Sequence, residues 1–337
     1  MKWIAFPDER LQVCGLPWVK ETMPDLWRFP RRVAGTLPKA VQVLMRFPTG
    51  ARIRFASNTS QLRIRFDAVG HRPMGHMSPI GSRGLDVYVN GVYWSSVTVA
   101  REGAAEAMFF HGADRSPKEM TIYLPIFQEL RVAAIGVDDD AELKPPPPFA
   151  LKRPVVFYGS SIAQGACACR PGMTCEAILA RKLNLDFVNL GFSGSGKAEP
   201  EVVALVAAID ACGYVLDLGK SFRMQPAAVY AAMLAKIRKA HPDAPMICVT
   251  PIFSTRELYS ADYKALSRHV RTVMGRAAAS RIEAGDRKVV LVEGLDLLGP
   301  ADADAFQEGV HPTDLGFARI AERLEPALRK LLLPRAD

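Results

Sequence analysis

The sequence predicts an α/β protein in two parts: an amino-terminal antiparallel β-sandwich and a carboxyl-terminal three-layer α/β/α domain with a parallel sheet. Three observations predict this. Short segments that alternate apolar and polar residues dominate the first part, as in antiparallel sheets with one solvated face. Continuous apolar segments alternate with amphipathic helical patterns in the second part, as in parallel sheets covered by helices. A run of four prolines separates the two patterns.

Length and composition are those of an ordinary globular protein. The 337 residues suffice for roughly two domains, and 49% are apolar while 23% are charged. The net charge of +8 comes from lysines and arginines that occur singly or in short pairs, so we expect no nucleic-acid partner. No segment reaches the ~18 consecutive apolar residues of a membrane span. The start of the chain lacks the apolar region of a signal peptide, so we expect a cytoplasmic protein.

The β-sandwich is predicted over residues 1–144. Alternating segments rich in β-branched and aromatic residues support it, at 40–47, 51–55, 61–67, 85–89 and 120–125. A linker is predicted over residues 145–152, because the prolines at 145–148 cannot occupy a helix interior or a central strand.

The α/β domain is predicted over residues 153–337. Its apolar strands are predicted at 155–159, 187–192, 214–219, 246–253 and 289–294. The segments between them repeat apolar residues every three or four positions, as amphipathic helices do. Ligands of such parallel sheets bind at the carboxyl ends of the strands.

A serine and a histidine are the candidate catalytic residues. Ser160 and Ser161 follow the first strand of the α/β domain at its carboxyl end. A serine is a poor nucleophile until a base activates it. His311 follows the fifth strand and is a candidate base. Glu308 lies three residues before it, where a carboxylate can orient the imidazole.

Four segments of the second part follow one another in the order FYGSSIAQGACACRPGM, NLGFSGSGKAEPE, YVLDLGKSF and GVHPTDLGFARIAERL. The first part contains Gly84-Leu85-Asp86-Val87-Tyr88. Together they resemble the SGNH, or GDSL-like, hydrolase superfamily, and above all its two-domain subgroup with an amino-terminal Gly-x-Asp-Leu-Tyr motif. The resemblance covers most of the chain. It implies a flavodoxin-like α/β hydrolase domain preceded by a jelly-roll-like β-sandwich.

The resemblance implies a Ser-His-Glu triad. The family nucleophile falls on Ser161, with Ser160 where many relatives have Asp, and the family histidine falls on His311. Glu308 takes the place of the family Asp, and it is one methylene longer but can still orient a histidine.

The resemblance also implies an oxyanion hole. The backbone N–H groups of Ser161 and Gly194 would donate to the oxyanion, and Ser221 replaces a family Asn that donates a third hydrogen bond. Losing one such donor lowers turnover by roughly 100- to 1,000-fold. Arg170 matches an arginine of the subgroup, and we weigh substrate binding against a structural contact with a carboxylate.

Two competing sites are less well supported. The cysteines at 167, 169 and 175 lack the spacing of zinc ligands, so we expect no metal site. The glycine run that ends in Lys197 reads like a phosphate-binding loop, yet Ala198 stands where Mg²⁺ needs a hydroxyl. A P-loop nucleotide hydrolase is therefore an unfavoured alternative.

The sequence thus predicts a serine esterase that needs no cofactor. Its substrate is expected to be a small-molecule or carbohydrate ester, with an acetyl or similarly small acyl group. An acyltransferase on the same scaffold and a non-catalytic carbohydrate-binding protein are the alternatives. The oligomeric state, the acyl length and the alcohol are left open.

Overall fold

The computed structural model describes residues 1–70 and 73–333. The chain folds as two compact units. The first comprises Met1–Gly35, Gln42–Phe149 and Cys169–Gly172; the second comprises Thr36–Val41, Ala150–Ala168 and the described residues from Met173 onward. The boundaries predicted at residues 145–152 stay a prediction, and residues 334–337 of the predicted second domain lie outside the described residues.

Two antiparallel sheets build the first unit. Its strands are β1 (Lys2–Ala5), β2 (Gln12–Cys14), β3 (Arg52–Ser57), β4 (Leu62–Val69), β5 (Gly84–Val89), β6 (Val92–Thr98), β7 (Gly103–Phe110), β8 (Lys118–Tyr123), β9 (Glu129–Val137) and β10 (Leu143–Lys144). One sheet has the order β1-β9-β4-β7, and the other has the order β10-β3-β8-β5-β6 with β2 beside β3. Ile64 from the first sheet and Phe55 and Val87 from the second are buried in one common core. The predicted β-sandwich is confirmed.

Short helices interrupt these strands along the chain: α1 (Val19–Thr22), α2 (Lys39–Leu44) and α3 (Pro79–Arg83). The strand predicted at residues 40–47 is therefore wrong. Val41, Leu44 and Met45 are buried while Val43 is exposed, which is the spacing of a helix face rather than of a strand. The segment is too short to distinguish the two periods by composition alone.

A parallel five-stranded sheet forms the second unit. Its strands are β11 (Val155–Gly159), β12 (Phe187–Gly191), β13 (Gly213–Asp217), β14 (Met246–Val249) and β15 (Val289–Val292). Their spatial order is β12-β11-β13-β14-β15, which is the flavodoxin-like order. The strand predicted at 246–253 ends earlier, at Val249, because Pro251 follows and has no N–H for the ladder.

Helices lie between these strands along the chain: α4 (Ser161–Gln164), α5 (Cys175–Leu183), α6 (Pro200–Val206), α7 (Ala227–Ala240), α8 (Ala261–Glu283), α9 (Gly294–Leu297) and α10 (Asp314–Leu332). Helix α5 packs against α10, and α7 packs against α6 and α8. Because crossovers between parallel strands are right-handed, these two groups cover opposite faces of the sheet. The three-layer prediction is confirmed. None of the helices in the described ranges is both long and apolar enough to cross a membrane.

Glycines allow the strand ends to approach one another. Gly159 is in register with Gly191 on one side and with Asp217 on the other. A Cβ at Gly159 would lie 1.9 Å from the Asp217 carbonyl oxygen, and one at Gly191 would lie 2.1 Å from the Gln164 nitrogen. Any other residue at 159 or 191 would separate the turn after β11 from its neighbours.

Candidate active site

Ser161 is held at the carboxyl end of β11. It is the first residue of α4, and the Ser160 hydroxyl caps that helix by accepting a hydrogen bond from the Ile162 N–H at 3.2 Å. Ser160 is buried, and a Cβ at Gly219 would lie 2.8 Å from its hydroxyl oxygen. Ser160 is therefore a capping residue, although it lines the same cavity as Ser161.

The loop that carries His311 is fixed on both sides. The Gly309 carbonyl accepts a hydrogen bond from the Thr255 N–H at 3.1 Å, and the His311 carbonyl accepts one from the Gln307 N–H at 2.8 Å. Gly309 has φ +84°, and a Cβ there would lie 2.5 Å from the Thr255 hydroxyl oxygen. Both the backbone conformation and the close approach require glycine.

The structure brings Ser161, His311 and Glu308 together. Ser161 Oγ lies 2.8 Å from His311 Nε2. On the other side of the ring, His311 Nδ1 is hydrogen-bonded to Glu308 Oε1. The same carboxylate oxygen accepts a hydrogen bond from the His311 backbone N–H at 3.0 Å.

This arrangement determines where the imidazole proton lies. An ionised carboxylate only accepts hydrogen bonds. Nδ1 therefore carries the proton and donates a hydrogen bond to Glu308. Nε2 is then the acceptor for the Ser161 hydroxyl, as a general base requires. Arg256 Nη2 lies 3.2 Å from the second oxygen of Glu308, so the two oxygens of this carboxylate face different partners.

The two other predicted oxyanion residues line the same cavity. This cavity has a volume of about 340 Å³, and its wall includes Ser161, Gly194, Ser221 and His311. Gly194 is exposed and has φ +70°. Ser221 lies in the short 3₁₀ helix Gly219–Phe222 that follows β13. The position of both residues is compatible with oxyanion binding, and their role stays a prediction.

The glycine run before Lys197 has no P-loop geometry. A P-loop leads directly into a helix whose first turn carries the lysine and the hydroxyl residue. Here α6 begins only at Pro200. Gly194 from this run lines the cavity of Ser161 instead.

Arg170 contacts the Gly-x-Asp-Leu-Tyr motif within the first unit. Its Nη1 lies 3.5 Å from Asp86 Oδ2 and is hydrogen-bonded to the Tyr88 hydroxyl, and its guanidinium stacks on the Tyr93 ring at 3.8 Å. Asp86 also accepts a hydrogen bond from the Gly172 N–H at 2.7 Å. The motif thus anchors the segment around Arg170, and the contact with Asp86 is the structural role that the sequence analysis considered for this arginine. Substrate binding by Arg170 stays a prediction.

A family model describes each part of the chain. The model of the GDSL-like lipase/acylhydrolase family matches residues 152–329. The chain belongs to this family. A second model, the amino-terminal region of SGNH-hydrolase-type esterases known by its GxDLY motif, matches residues 1–143. The prediction of an SGNH-type ester hydrolase is confirmed.

Solved structures agree with this assignment of the GDSL-like hydrolase. A GDSL-like lipase from Bacteroides ovatus is 26% identical, with a TM-score of 0.87 and 98% of each chain covered. A salicylyl-acyltransferase from a tetracycline biosynthetic pathway is 24% identical, with a TM-score of 0.84 and 98% of each chain covered. An acetyl xylan esterase from Butyrivibrio proteoclasticus is 14% identical, with a TM-score of 0.63, 98% of this chain and 99% of that chain covered. The salicylyl-acyltransferase and the acetyl xylan esterase share the fold of this chain. No curated protein matches the chain.

Sequence reasoning considered Cys167 only as one of three clustered cysteines and missed its position beside Glu308 and His311. Cys167 follows α4, and its Sγ lies within 4.8 Å of ligand atoms of Glu308 and His311. Burial raises the pKa of the Cys167 thiol to about 12, so it is a thiol rather than a thiolate near neutral pH. A metal ion bound by this group would displace a hydrogen bond of His311, because both ring nitrogens are already engaged. No local spacing connects residue 167 with residue 308.

Sequence reasoning also missed buried carboxyls near the end of β13. Burial raises the pKa of Asp217 to about 7 and that of Glu176 to about 8. Glu176 Oε2 has no hydrogen-bond partner among the described residues. An uncharged carboxylic acid is the form that such a site favours.

The cations of the cavity wall were missed as well. Lys220, Arg223 and Arg256 line the cavity together with Ser161. Lys220 donates a hydrogen bond to the Ile252 carbonyl at 2.6 Å, and burial lowers the pKa of its ammonium group to about 8. Charged residues in loops give no periodic signal, so only the fold shows that they share one cavity.

Proposed function

We propose that this GDSL-like hydrolase is a serine esterase with the triad Ser161, His311 and Glu308. One observation carries the proposal. The Ser161 hydroxyl lies 2.8 Å from His311 Nε2, at the wall of a cavity of about 340 Å³. A serine within hydrogen-bond distance of an oriented imidazole is the arrangement that activates a hydroxyl for attack on a carbonyl.

The proposed reaction has two halves. His311 Nε2 takes the Ser161 proton as Oγ forms a bond to the ester carbon and the carbonyl electron pair moves to its oxygen. The N–H groups of Ser161 and Gly194 stabilise this oxyanion, with the Ser221 hydroxyl as a third donor. The intermediate then expels the alcohol, which takes the proton from His311. Water repeats these steps on the acyl-enzyme and releases the acid, and no cofactor takes part.

The proposed substrate carries a small acyl group, such as acetyl, on a carbohydrate or glycoside-like alcohol. The support for this substrate is family analogy. The acetyl xylan esterase and a family two carbohydrate esterase from Clostridium thermocellum share the fold. A cytoplasmic location and the absence of a nucleic-acid partner stay predictions.

An acyltransferase is the second candidate. The observation in its favour is the likeness to the salicylyl-acyltransferase, which covers 98% of both chains. In that case an acceptor hydroxyl or amine, rather than water, would attack the same acyl-enzyme. A non-catalytic carbohydrate-binding protein is the remaining alternative, in which Ser161 would not be activated at all.

Labelling with a fluorophosphonate probe tests the proposal. We expect wild type and Ser160→Ala to be labelled and Ser161→Ala not to be, with all three variants folded by circular dichroism. Release of 4-nitrophenol from 4-nitrophenyl acetate then separates the candidates. An esterase turns over in water, an acyltransferase gives a burst that turns over only with an acceptor alcohol, and a binding protein gives neither. Labelling of Ser161→Ala would refute the assignment of the nucleophile.

A further inference from the structure

The cavity of Ser161 is positively charged. Lys220, Arg223 and Arg256 line it, whereas Glu308 is its one carboxylate among the described residues. A cavity with walls of one charge attracts and orients ligands of the opposite charge.

Two of the three cations already have partners. Lys220 Nζ lies 3.4 Å from Glu257 Oε1. Glu257 also receives both arms of Arg271, at 2.8 Å each, so this carboxylate is shared between two cations. Arg256 is paired with Glu308, which in turn orients His311. Lys220 and Arg256 are therefore partly engaged by carboxylates of the chain.

Arg223 is the cation that has no carboxylate partner among residues 1–70 and 73–333. Within the described part of the chain, its guanidinium makes no hydrogen bond or ion pair, and its side chain is exposed. Its backbone has φ +60° and ψ −149°, a conformation that only glycine adopts without strain. The Arg223 N–H closes the 3₁₀ helix through a hydrogen bond to the Lys220 carbonyl at 3.2 Å. A strained arginine at the wall of a reactive cavity indicates a functional reason for its side chain.

Arg223 also lines a second cavity. This cavity has a volume of about 670 Å³. Its wall is mostly apolar, with Val203, Val229 and Met233 among its residues, and its other ionisable side chains are Lys197, Lys236 and Glu199. Arg223 thus lines both the reactive cavity and a mostly apolar cavity with charged side chains.

We propose that the preferred esters of this enzyme carry an anionic group, a carboxylate, phosphate or sulfate, which Arg223 binds while the ester lies against Ser161. This deepens the proposed function and rests on it. The planar guanidinium donates paired hydrogen bonds to such oxygens. Arg223 is a specificity-determining residue, and the anion belongs to either the acyl or the alcohol half of the ester.

Binding of an unreactive ligand tests the anion site without turnover. The ligand 4-acetamidobenzoate carries an amide in place of the ester, and its methyl ester is the neutral twin. By calorimetry we expect the anion to bind at least about tenfold more tightly than the methyl ester. Arg223→Gln removes this difference. The matched control Arg276→Gln, at an exposed position of α8 outside both cavities, retains it.

Kinetics distinguish the two halves of the ester. The pair 4-acetoxybenzoate and its methyl ester places the charge on the alcohol side. The pair 4-nitrophenyl hydrogen succinate and 4-nitrophenyl methyl succinate places it on the acyl side. For one of the pairs we expect kcat/KM of the anionic member to be at least about tenfold higher, mainly through KM. Arg223→Gln lowers kcat/KM for the anionic member of that pair and leaves kcat/KM for the neutral twin within about twofold of wild type.

Arg223→Gly separates specificity from folding. Glycine accepts the backbone conformation, so we expect the melting temperature to rise while the preference for the anion is lost. Equal binding and equal turnover of anionic and neutral twins by wild type would overturn the inference, as would an equal loss for both twins in Arg223→Gln. Failure of the proposed function looks different: wild type would show no fluorophosphonate labelling and no hydrolysis of any ester, whatever the calorimetry shows.

Discussion

One oxygen of Glu308 accepts two hydrogen bonds from His311, one from the backbone N–H at 3.0 Å and one from ring Nδ1. The longer side chain thus curls back onto its own loop. Because both donors belong to one residue, the carboxylate fixes the ring relative to the backbone as well as the position of the proton. Glu308 thereby reaches the position from which an acid orients a catalytic imidazole.

We expect Glu308→Gln to lower kcat by roughly 100- to 10,000-fold with little change in KM. The amide can donate as well as accept, so it favours the histidine tautomer with the proton on Nε2, which cannot accept the Ser161 proton. Hydrolysis of 4-nitrophenyl acetate measures the effect. Glu322→Gln, an exposed substitution on α10, is the control. If both Glu308→Gln and His311→Ala retained full turnover, another residue would have to be the base.

Ser221→Asn is expected to raise kcat more than it changes KM. The Ser221 hydroxyl lines the cavity and makes no hydrogen bond to the described residues, and an amide reaches further toward a developing oxyanion. That charge exists mainly in the transition state, so the gain belongs in kcat. Steady-state kinetics on one neutral ester suffices, with Ser221→Ala as the comparison. A lower kcat in Ser221→Asn would mean that the serine is not a substitute for the family asparagine.

Glu176→Gln is expected to stabilise the protein at high pH. Burial raises the pKa of Glu176 to about 8, so the folded protein holds this proton more tightly than the unfolded chain does. The contribution of this raised pKa to the free energy of unfolding is fully present below the pKa of a glutamate in the unfolded chain, about 4.3. This contribution to the free energy of unfolding is lost as the pH rises toward 8, by up to about 1.4 kcal/mol per pH unit.

Thermal unfolding at several pH values checks this. The melting temperature of Glu176→Gln should rise relative to wild type by several degrees between pH 5.5 and pH 8.5, because the amide does not titrate. The same comparison for the exposed Glu322→Gln should stay flat. Parallel curves for wild type and Glu176→Gln would show that this carboxyl is ionised in the folded state throughout.

Asp86→Asn is expected to destabilise the first unit by about 1–3 kcal/mol. Asp86 is fully buried and accepts hydrogen bonds from the Gly172 N–H and from the Ser96 hydroxyl, both at 2.7 Å. Replacing one accepting oxygen by an NH₂ group leaves a buried donor unpaired. Chemical denaturation measures the loss, with the exposed Glu102→Gln as control.

A double-mutant cycle measures how strongly Asp86 and Arg170 stabilise each other. Asp86→Asn and Arg170→Ala should couple by at least about 0.5 kcal/mol, since the two side chains are in contact. Additive effects would show that Arg170 does not depend on Asp86. A rise in KM for Arg170→Ala without loss of stability would instead favour substrate binding.

The parallel sheet was predictable because its strands and helices leave local patterns, whereas the pair Ser161–His311 was expected from the family resemblance and from the shared sheet edge. Helix α7 (Ala227–Ala240) lies in a segment between two strands that was predicted to be helical, since its apolar period is uninterrupted. Glycines at strand ends also leave a clear sequence signal. The strand predicted at 40–47 was wrong because a six-residue helix offers less than two turns of periodicity.

The remaining site residues depend on tertiary structure. Arg223 and Cys167 lie in loops, and each reaches the cavity or the triad only because the strand order brings distant loops to one edge. Nothing in the neighbouring residues marks their positive φ values. The elevated pKa values of Asp217 and Glu176 are equally invisible in the sequence, because they reflect the depth of burial rather than the identity of neighbours in the chain.

Under the proposed mechanism, the separation of Ser161 and His311 along the chain makes activity dependent on distant parts of the sheet. These residues are 150 positions apart, and the histidine follows the edge strand β15. A nascent chain that has emerged as far as β14 already carries the nucleophile, but it has no base. If these residues act as proposed, esterase activity requires that both β11 and the loop after β15 have taken their places in the parallel sheet.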